Sequence, residues 1–171
     1  RLQCPVACRG EMTTGMRLHH VGIAVKSIQS SSLLYRQLGI ASGWTECVQD
    51  HINSVTVCFG SVAEDGPTVE LVEPIEKGSP AEGVLARTGG MSTPYHIAYT
   101  VESLDDVIVA LRHAGALQVT PVRAAKAFGD SRIVFFALPD GLVVELIENC
   151  GHGGEKTDEP ARDHPTQSAD C

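Results

Sequence analysis

At 171 residues, with 43% hydrophobic and 20% charged residues, the chain has the composition of a globular protein of one domain or two small modules, neither disordered nor membrane-embedded. Its formal net charge of -8, with the 13 basic residues scattered singly among 21 acidic ones, excludes the clustered Lys/Arg face of a general nucleic-acid binder. No stretch reaches the roughly 18 apolar residues of a membrane helix, and Arg1 to Gly10 lack the apolar centre of a secretory signal, so the expectation is a cytoplasmic protein without a membrane partner.

Residues 1–15 carry no apolar period and read as a disordered lead, with Met12 and Met16 as alternative starts of translation. Arg17 to Val25 alternates like a half-buried strand, and Ser27 to Leu38 places Ile28, Leu33, Leu34 and Leu38 at helical spacing before the stop at Gly39. A weak strand near Ser42 to Val48 follows, then strands at Val55 to Phe59 and Thr68 to Val72. Residues 76–92 read as a linker with a short helix over Pro80 to Thr88 capped by Ser79 and ended by Gly89-Gly90. A strand at Tyr95 to Val101 leads to a helix over Leu104 to Ala114, with Val107, Val109 and Leu111 at helical spacing, stopped by Gly115. Strands at Gln118 to Pro121, Arg132 to Ala137 and Leu142 to Ile147 complete the patterned region. Residues 151–171 are polar and rich in Gly, Pro, Asp and His, a disordered tail whose His152 and His164 read as solvated. Four of the six cysteines (Cys4, Cys8, Cys150, Cys171) fall in the low-pattern ends, which speaks against a disulfide framework and for tail thiols.

The patterned region repeats. His20-Val-Gly-Ile-Ala-Val-Lys-Ser-Ile aligns without a gap to His96-Ile-Ala-Tyr-Thr-Val-Glu-Ser-Leu, and Val69-Glu70-Leu71-Val72-Glu73 aligns to Val144-Glu145-Leu146-Ile147-Glu148. The His-to-Glu spacing is 50 residues in one copy and 49 in the other. Each copy is therefore a β-α-β-β-β module, the first over 16–75 and the second over 93–150.

Strand alternation puts His20 on one face with Leu18, Gly22 and Ala24, and puts His19 on the opposite, helix-facing side with Val21, Ile23 and Val25. His96 shares its face with Ala98 and Thr100. Small neighbours leave room beside each imidazole, which implies a cavity. Glu70 lies among Thr68 and Val72, and Glu145 among Val143 and Ile147, so both carboxylates need a cation or a hydrogen-bonding partner. Two His and two Glu at repeat-equivalent positions answer one another at a metal, and such ligands suit Zn, Ni, Co, Fe(II) or Mn better than Ca or Mg. Any one of the four taken alone reads equally as an ordinary strand residue.

LHHVGIAV, YRQLGI, TVELVEP, GSP, PYHIAYTVESLDD and VVELIE, spread over residues 17 to 149, together resemble the vicinal-oxygen-chelate superfamily of glyoxalases, methylmalonyl-CoA epimerases, extradiol dioxygenases and antibiotic-resistance proteins. Within it the chain is similar to the epimerase and glyoxalase branch. The resemblance implies an α+β fold of two tandem β-α-β-β-β modules forming a cupped, incomplete barrel around one divalent transition metal. It places the ligands on His20, Glu70, His96 and Glu145, and implies a homodimer acting on a small-molecule substrate. The implied chemistry is an isomerase, epimerase or lyase reaction, with proton transfer next to a metal-polarised carbonyl and Glu145 as the base.

Two departures from the epimerases stand out. The strand Ser54-Val-Thr-Val-Cys-Phe59 has no acid where they carry a second catalytic carboxylate, Asp50 lying in the turn before it, and Tyr95-His96 replaces their His-His. The rival readings are a 2-His-1-carboxylate iron oxygenase on His20, His96 and Glu145, against which the fourth ligand Glu70 argues, and a resistance-type binding protein that sequesters a ligand in the same cup. Arg132, in the loop-and-strand segment after Phe128, and Trp44, at the cavity mouth, are weaker candidates for substrate contact. Tyr35 and His19 read as structural.

Overall fold

The structure, a computed structural model, describes residues 15–62 and 67–149. The lead up to Thr14 and the tail from Cys150 onward, with the expectations attached to them, lie outside the described residues. The first module comprises β1 (Arg17–Ala24), α1 (Ile28–Gln37), β2 (Val48–Asp50), β3 (Val55–Ser61) and β4 (Thr68–Pro74). After α2 (Pro80–Arg87), the second comprises β5 (Thr93–Val101), α3 (Leu104–His113), β6 (Leu117–Gln118), β7 (Arg123–Ala125), β8 (Ser131–Ala137) and β9 (Val143–Glu148). A one-turn 3-10 helix at Lys126–Phe128 joins β7 to β8.

All nine strands form one curled sheet in the order β2-β3-β4-β1-β5-β9-β8-β6, with β7 also pairing to β8. This is the expected α+β arrangement of two β-α-β-β-β modules making an open half-barrel, with one further short strand, β7, in the second module. Each module closes by a parallel pair, β1 with β4 and β5 with β9, across its crossover helix. The two modules meet where β1 and β5 run antiparallel, so β4, β1, β5 and β9 form the centre of the cup.

Local chemistry accounts for the helix ends. Ser27, Ser79 and Ser103 each accept a hydrogen bond from the backbone N–H three residues on, satisfying one orphan donor at each helix start. Gly39 and Gly115 follow α1 and α3 with φ of 68° and 85°, a left-handed turn that a side chain resists. The second Glu of each repeated motif has its own task. Glu73 Oε2 accepts from Ile28 N at 2.7 Å and Glu148 Oε1 from Leu104 N at 3.2 Å, so each strand-end carboxylate holds the first turn of its module's helix, where the helix dipole favours negative charge.

Several boundaries differ from expectation. Ser42 makes a single bridge to Ser61, and the strand proper begins only at Val48. The expected Gln118–Pro121 strand shrinks to Leu117–Gln118, Pro121 having no N–H for a ladder, while β7 and the 3-10 turn after it emerge from a stretch that carried no period. In α1 only Ile28 is buried, and Leu33, Leu34 and Leu38 are more than half or half exposed, because the module's core against this helix is filled by Val25, Cys58, Val69 and Leu71. In α3 the buried residues are Leu104, Val107 and Ile108, while Val109 points outward. The main second-module core joins α3 to Val134, Phe136, Val144 and Leu146 on β8 and β9. No helix among the described residues is long and apolar enough to cross a membrane.

Candidate metal centre

Glu70 on β4, His20 on β1, His96 on β5 and Glu145 on β9 come from the four central strands, and their exposure is 0 to 5%. The register explains how they converge. Gly22 lies directly across from both Glu70 and His96, and Ala98 directly across from both His20 and Glu145. Directly paired residues point to the same face, so the four candidate ligand side chains rise around two of the smallest residues available. A Cβ at Gly22 would collide with the His96 ring. The small residues seen beside each His in the sequence are therefore the floor of the centre.

His20 Nε2 and His96 Nε2 lie 2.9 Å apart. Glu70 Oε2 is 3.2 and 3.3 Å from them, and Glu145 Oε2 is 3.3 and 3.4 Å. For metal–ligand distances of roughly 2.1 Å, neighbouring donors sit roughly 3.0 Å apart in an octahedron and 3.4 Å in a tetrahedron. The observed separations lie within 0.1 Å of that range, and the buried His96 Nδ1 has no partner among the described residues. Two imidazoles turned Nε2 to Nε2 between two carboxylates, all withdrawn from water, fit one divalent ion.

With no ion considered, the quartet behaves as a buried double ion pair. Burial opposes a charge on His20, but Glu70 beside it and the bonds to both carboxylates hold its pKa up at about 9. Burial also opposes ionisation of Glu70, yet His20 and His96 bring its carboxyl down to about 2. His96 is raised and Glu145 lowered by the same contacts against the same burial.

Two β-bulges flank the centre. The β1–β5 register shifts between Leu18 and His20 and again between Gly22 and Ile23, leaving His19 and Tyr95 as the extra residues. Each bulge breaks the alternation just before a ligand histidine and re-aims a side chain toward the site. His19 was expected on the helix side; instead its Nδ1 lies 2.8 Å from His20 Nδ1 and its ring 5.4 Å from Phe128. Such a contact to the non-coordinating nitrogen fixes imidazole orientation. Burial lowers the pKa of His19, the neighbouring His20 adding to the effect. Tyr95 stands 4.4 Å, centroid to centroid, from His96 and lines the same cavity.

Aromatic residues complete the surround. Phe59, paired with Glu70, meets His20 edge-on at 5.5 Å, and Phe135, paired with Glu145, meets His96 edge-on at 5.4 Å. Phe128 stacks over His20 at 5.8 Å from the 3-10 turn. The open side faces a cavity of about 300 Å³ walled by Val55, Val57, Val72, Ile133 and Phe135, with Glu70, His96 and Glu145 at its base.

The weaker candidates are placed elsewhere. Arg132 pairs with Asp105 at 2.8 Å and Glu148 at 3.3 Å and does not line this cavity, because it sits on β8 next to the inward-facing Ile133. Trp44 packs with Tyr35 and the α1 core rather than at the cavity mouth. Asp50 lies at the end of β2 and does reach the cavity wall, but its oxygens accept from Asn53 N, Asn53 Nδ2 and Lys126 N. It ties the first module to the 3-10 turn that carries Phe128. Extending the repeat one strand back finds Phe59 and Phe135; His19 and Tyr95 had no such signal, since a bulge leaves no trace in the pattern.

Residues 19–135 match the Glyoxalase/Bleomycin resistance protein/Dioxygenase superfamily. The chain is 34% identical over 136 residues to the ethylmalonyl-CoA/methylmalonyl-CoA epimerase of Cereibacter sphaeroides, covering 76% of this chain and 96% of that protein. It is 33% identical over 144 residues to the uncharacterized protein YqjC of Bacillus subtilis, covering 79% and 94%. Among solved structures, methylmalonyl-CoA epimerase from Mycobacterium tuberculosis aligns with a TM-score of 0.66 at 24% identity, over 77% of this chain and 86% of that one. A Streptomyces coelicolor methylmalonyl-CoA epimerase variant in complex with 2-nitronate-propionyl-CoA aligns with a TM-score of 0.65 at 22% identity, over 79% and 98%. At these identities the structural matches speak for the fold.

Proposed function

The chain belongs to the glyoxalase/bleomycin resistance protein/dioxygenase superfamily, and on that premise we propose that it is a metal-dependent isomerase of the epimerase kind, moving a proton on the carbon next to a carbonyl. The observation that carries this reading is the four-residue cluster His20, Glu70, His96 and Glu145, buried and opening onto one apolar cavity. The curated epimerase relative supports it, as do donor separations that suit a divalent ion.

His20, Glu70, His96 and Glu145 would hold a divalent ion, which when bound would supply Lewis acidity to a substrate carbonyl and so acidify the neighbouring C–H. Glu145 lines the cavity and reaches the histidines through Oε2; its other oxygen would take the proton from carbon, and epimerisation is complete only when a proton is delivered to the opposite face, return from Glu145 giving exchange with retention. Phe128, Phe59 and Phe135 keep water from the centre, which strengthens electrostatic interactions there. His19 holds His20 in its ligating orientation through Nδ1. A cavity of about 300 Å³ lies at the lower bound for small-molecule sites and takes the reacting part of a substrate, so the body of a thioester carrier would lie outside it.

One observation favours a second reading. Strand β3 turns Val55 and Val57 to the cavity, and the hydrogen bonds of Asp50 are used within the fold. Two-base inversion at carbon needs an acid facing the base, whereas a glyoxalase-like shift of a proton along one face needs a single carboxylate. That geometry supports a one-base proton shift as the runner-up.

Elemental analysis of wild type, Glu70→Ala and His96→Ala comes first. We expect one equivalent of a transition metal in wild type and loss in both variants. The metal-loaded protein in D2O, given a 2-methyl-branched malonyl thioester and separately a hemithioacetal, is expected to place deuterium at the carbon next to the carbonyl of one of them. A wild type that takes up no metal on reconstitution sinks the reading; metal without exchange in either substrate sinks the proton-transfer chemistry.

A further inference from the structure

The cavity above the centre holds a positive group with no carboxylate counterpart among the described residues. Arg123 opens β7, across from Ile133, and its side chain lines the cavity. One arm, Nη1, donates to the Ile52 carbonyl at 3.3 Å and fixes the guanidinium against the loop after β2. Its Nε is buried and has no hydrogen-bond partner. Among the described residues the arginine–carboxylate pairs all belong to Arg132, so no carboxylate pairs with Arg123.

The acids nearby are committed. Asp50 is occupied by Asn53 and Lys126, and Glu70 and Glu145 face the histidines. Arg123, Tyr95 and the two carboxylates of Glu70 and Glu145 line one and the same chamber. Arg123 is half-buried, with its Nε withdrawn from water and unpartnered among the described residues, and the fork geometry of its guanidinium matches a carboxylate. Exposed Arg87 at the end of α2 lines the same cavity and adds a second cation.

We propose that Arg123 anchors a second anionic group of the ligand, a free carboxylate distinct from the oxygens presented to the centre, and so selects substrates that are metal-chelating at one end and carboxylated at the other. This rests on the metal-centre reading above. The site would reject an uncharged analogue of equal length, because that analogue leaves the guanidinium unpaired.

The test uses the cobalt-loaded full chain, with cobalt content measured for each sample, and two probes. 2-Oxoglutarate and 2-oxopentanoate share a chelating 2-oxo acid end and differ in the distal carboxylate. By calorimetry, wild type is expected to bind 2-oxoglutarate at least tenfold more tightly. Arg123→Gln is expected to abolish that preference and Arg123→Lys to retain part of it, both with wild-type cobalt content and melting temperature. Equal affinity of wild type for the two probes, a preference that survives in Arg123→Gln, or no binding of either probe to cobalt-loaded protein overturns the anchor and leaves the centre standing. Failure of wild type to hold cobalt overturns the metal-centre reading itself, and the anchor with it. If Arg123→Gln does not fold, inorganic sulfate as a competitor against 2-oxoglutarate on wild type decides: loss of the preference supports the anchor, and an unchanged preference overturns it.

Discussion

His20 and His96, 76 residues apart in the chain, bring their Nε2 atoms to 2.9 Å, with Glu70 and Glu145 around both. Without an ion this contact holds only if protons and carboxylates neutralise one another. His20 is raised from 6.5 to about 9, so its contribution is full below pH 6.5 and fades as pH rises to about 9. Glu70 is lowered from 4.5 to about 2, so its contribution is present above pH 4.5 and fades as pH falls toward 2. Chelator-treated protein is expected to lose stability on the order of 2 kcal/mol between pH 6.5 and 9 by urea unfolding. Metal-loaded protein should not, because ligation needs the neutral imidazoles that higher pH supplies. Equal profiles with and without metal would show that the centre does not hold protons in this way.

In the proposed reading Glu145 has two roles, ligand and base, and substitution can separate them. Glu145→Gln is expected to keep most of the metal, since an amide oxygen can still ligate, while lowering the exchange rate by about 10² to 10⁴. Glu70→Gln, which changes the other carboxylate, should cost less rate for a similar loss of metal. Loss of all metal in Glu145→Gln would remove the grounds for a separate base.

The close approach of Gly22 to His96 makes this glycine a sharp probe. In Gly22→Ala the added methyl meets the imidazole, and either the ring or the β1–β5 pairing must shift. A loss of stability of about 1–3 kcal/mol is expected, together with loss of metal. Ala98 at the equivalent position already carries a methyl that fits, so Ala98→Gly should keep the metal. Full metal content in Gly22→Ala would mean that the ring has another place to go.

Asp50 is tied up as a strut by Asn53 and Lys126, and in the proposed reading it has no part as a second base. Asp50→Asn is expected to destabilise the fold by about 1–3 kcal/mol through its hydrogen bonds to Asn53 and Lys126. Metal content should stay at the wild-type level, with exchange per metal-loaded, folded molecule within a factor of about three of wild type. A hundredfold loss of exchange in folded, metal-loaded protein would restore a two-base mechanism.

The repeat made much of this legible. Pairing His20 with His96 and Glu70 with Glu145 at nearly one offset was enough to name two β-α-β-β-β modules and all four members of the cluster, because a duplicated module places equivalent residues symmetrically about a pseudo-twofold, and buried His and Glu pairs find their partners where the two copies join. Ser27, Ser79 and Ser103 with Gly39 and Gly115 announced the helix ends, since capping is local chemistry. Glu73 and Glu148 were visible as part of the motif, yet their hold on the helix starts depends on where the strand ends lie in space.

What only the tertiary structure decided concerns departures from period. Strand alternation sends His19 away from the site, and two bulges bring His19 and Tyr95 back to it, because an inserted residue shifts the facing of its neighbours without altering the apolar pattern. Helical spacing in α1 offered Leu33, Leu34 and Leu38 as core, but the sheet had already filled that space. The sequence singled out Arg132, by its place after Phe128, and passed over Arg123. Which of them faces the cavity was set by the pairing of β7 with β8, a contact between segments whose short, aperiodic sequence carries no record of the partner it meets.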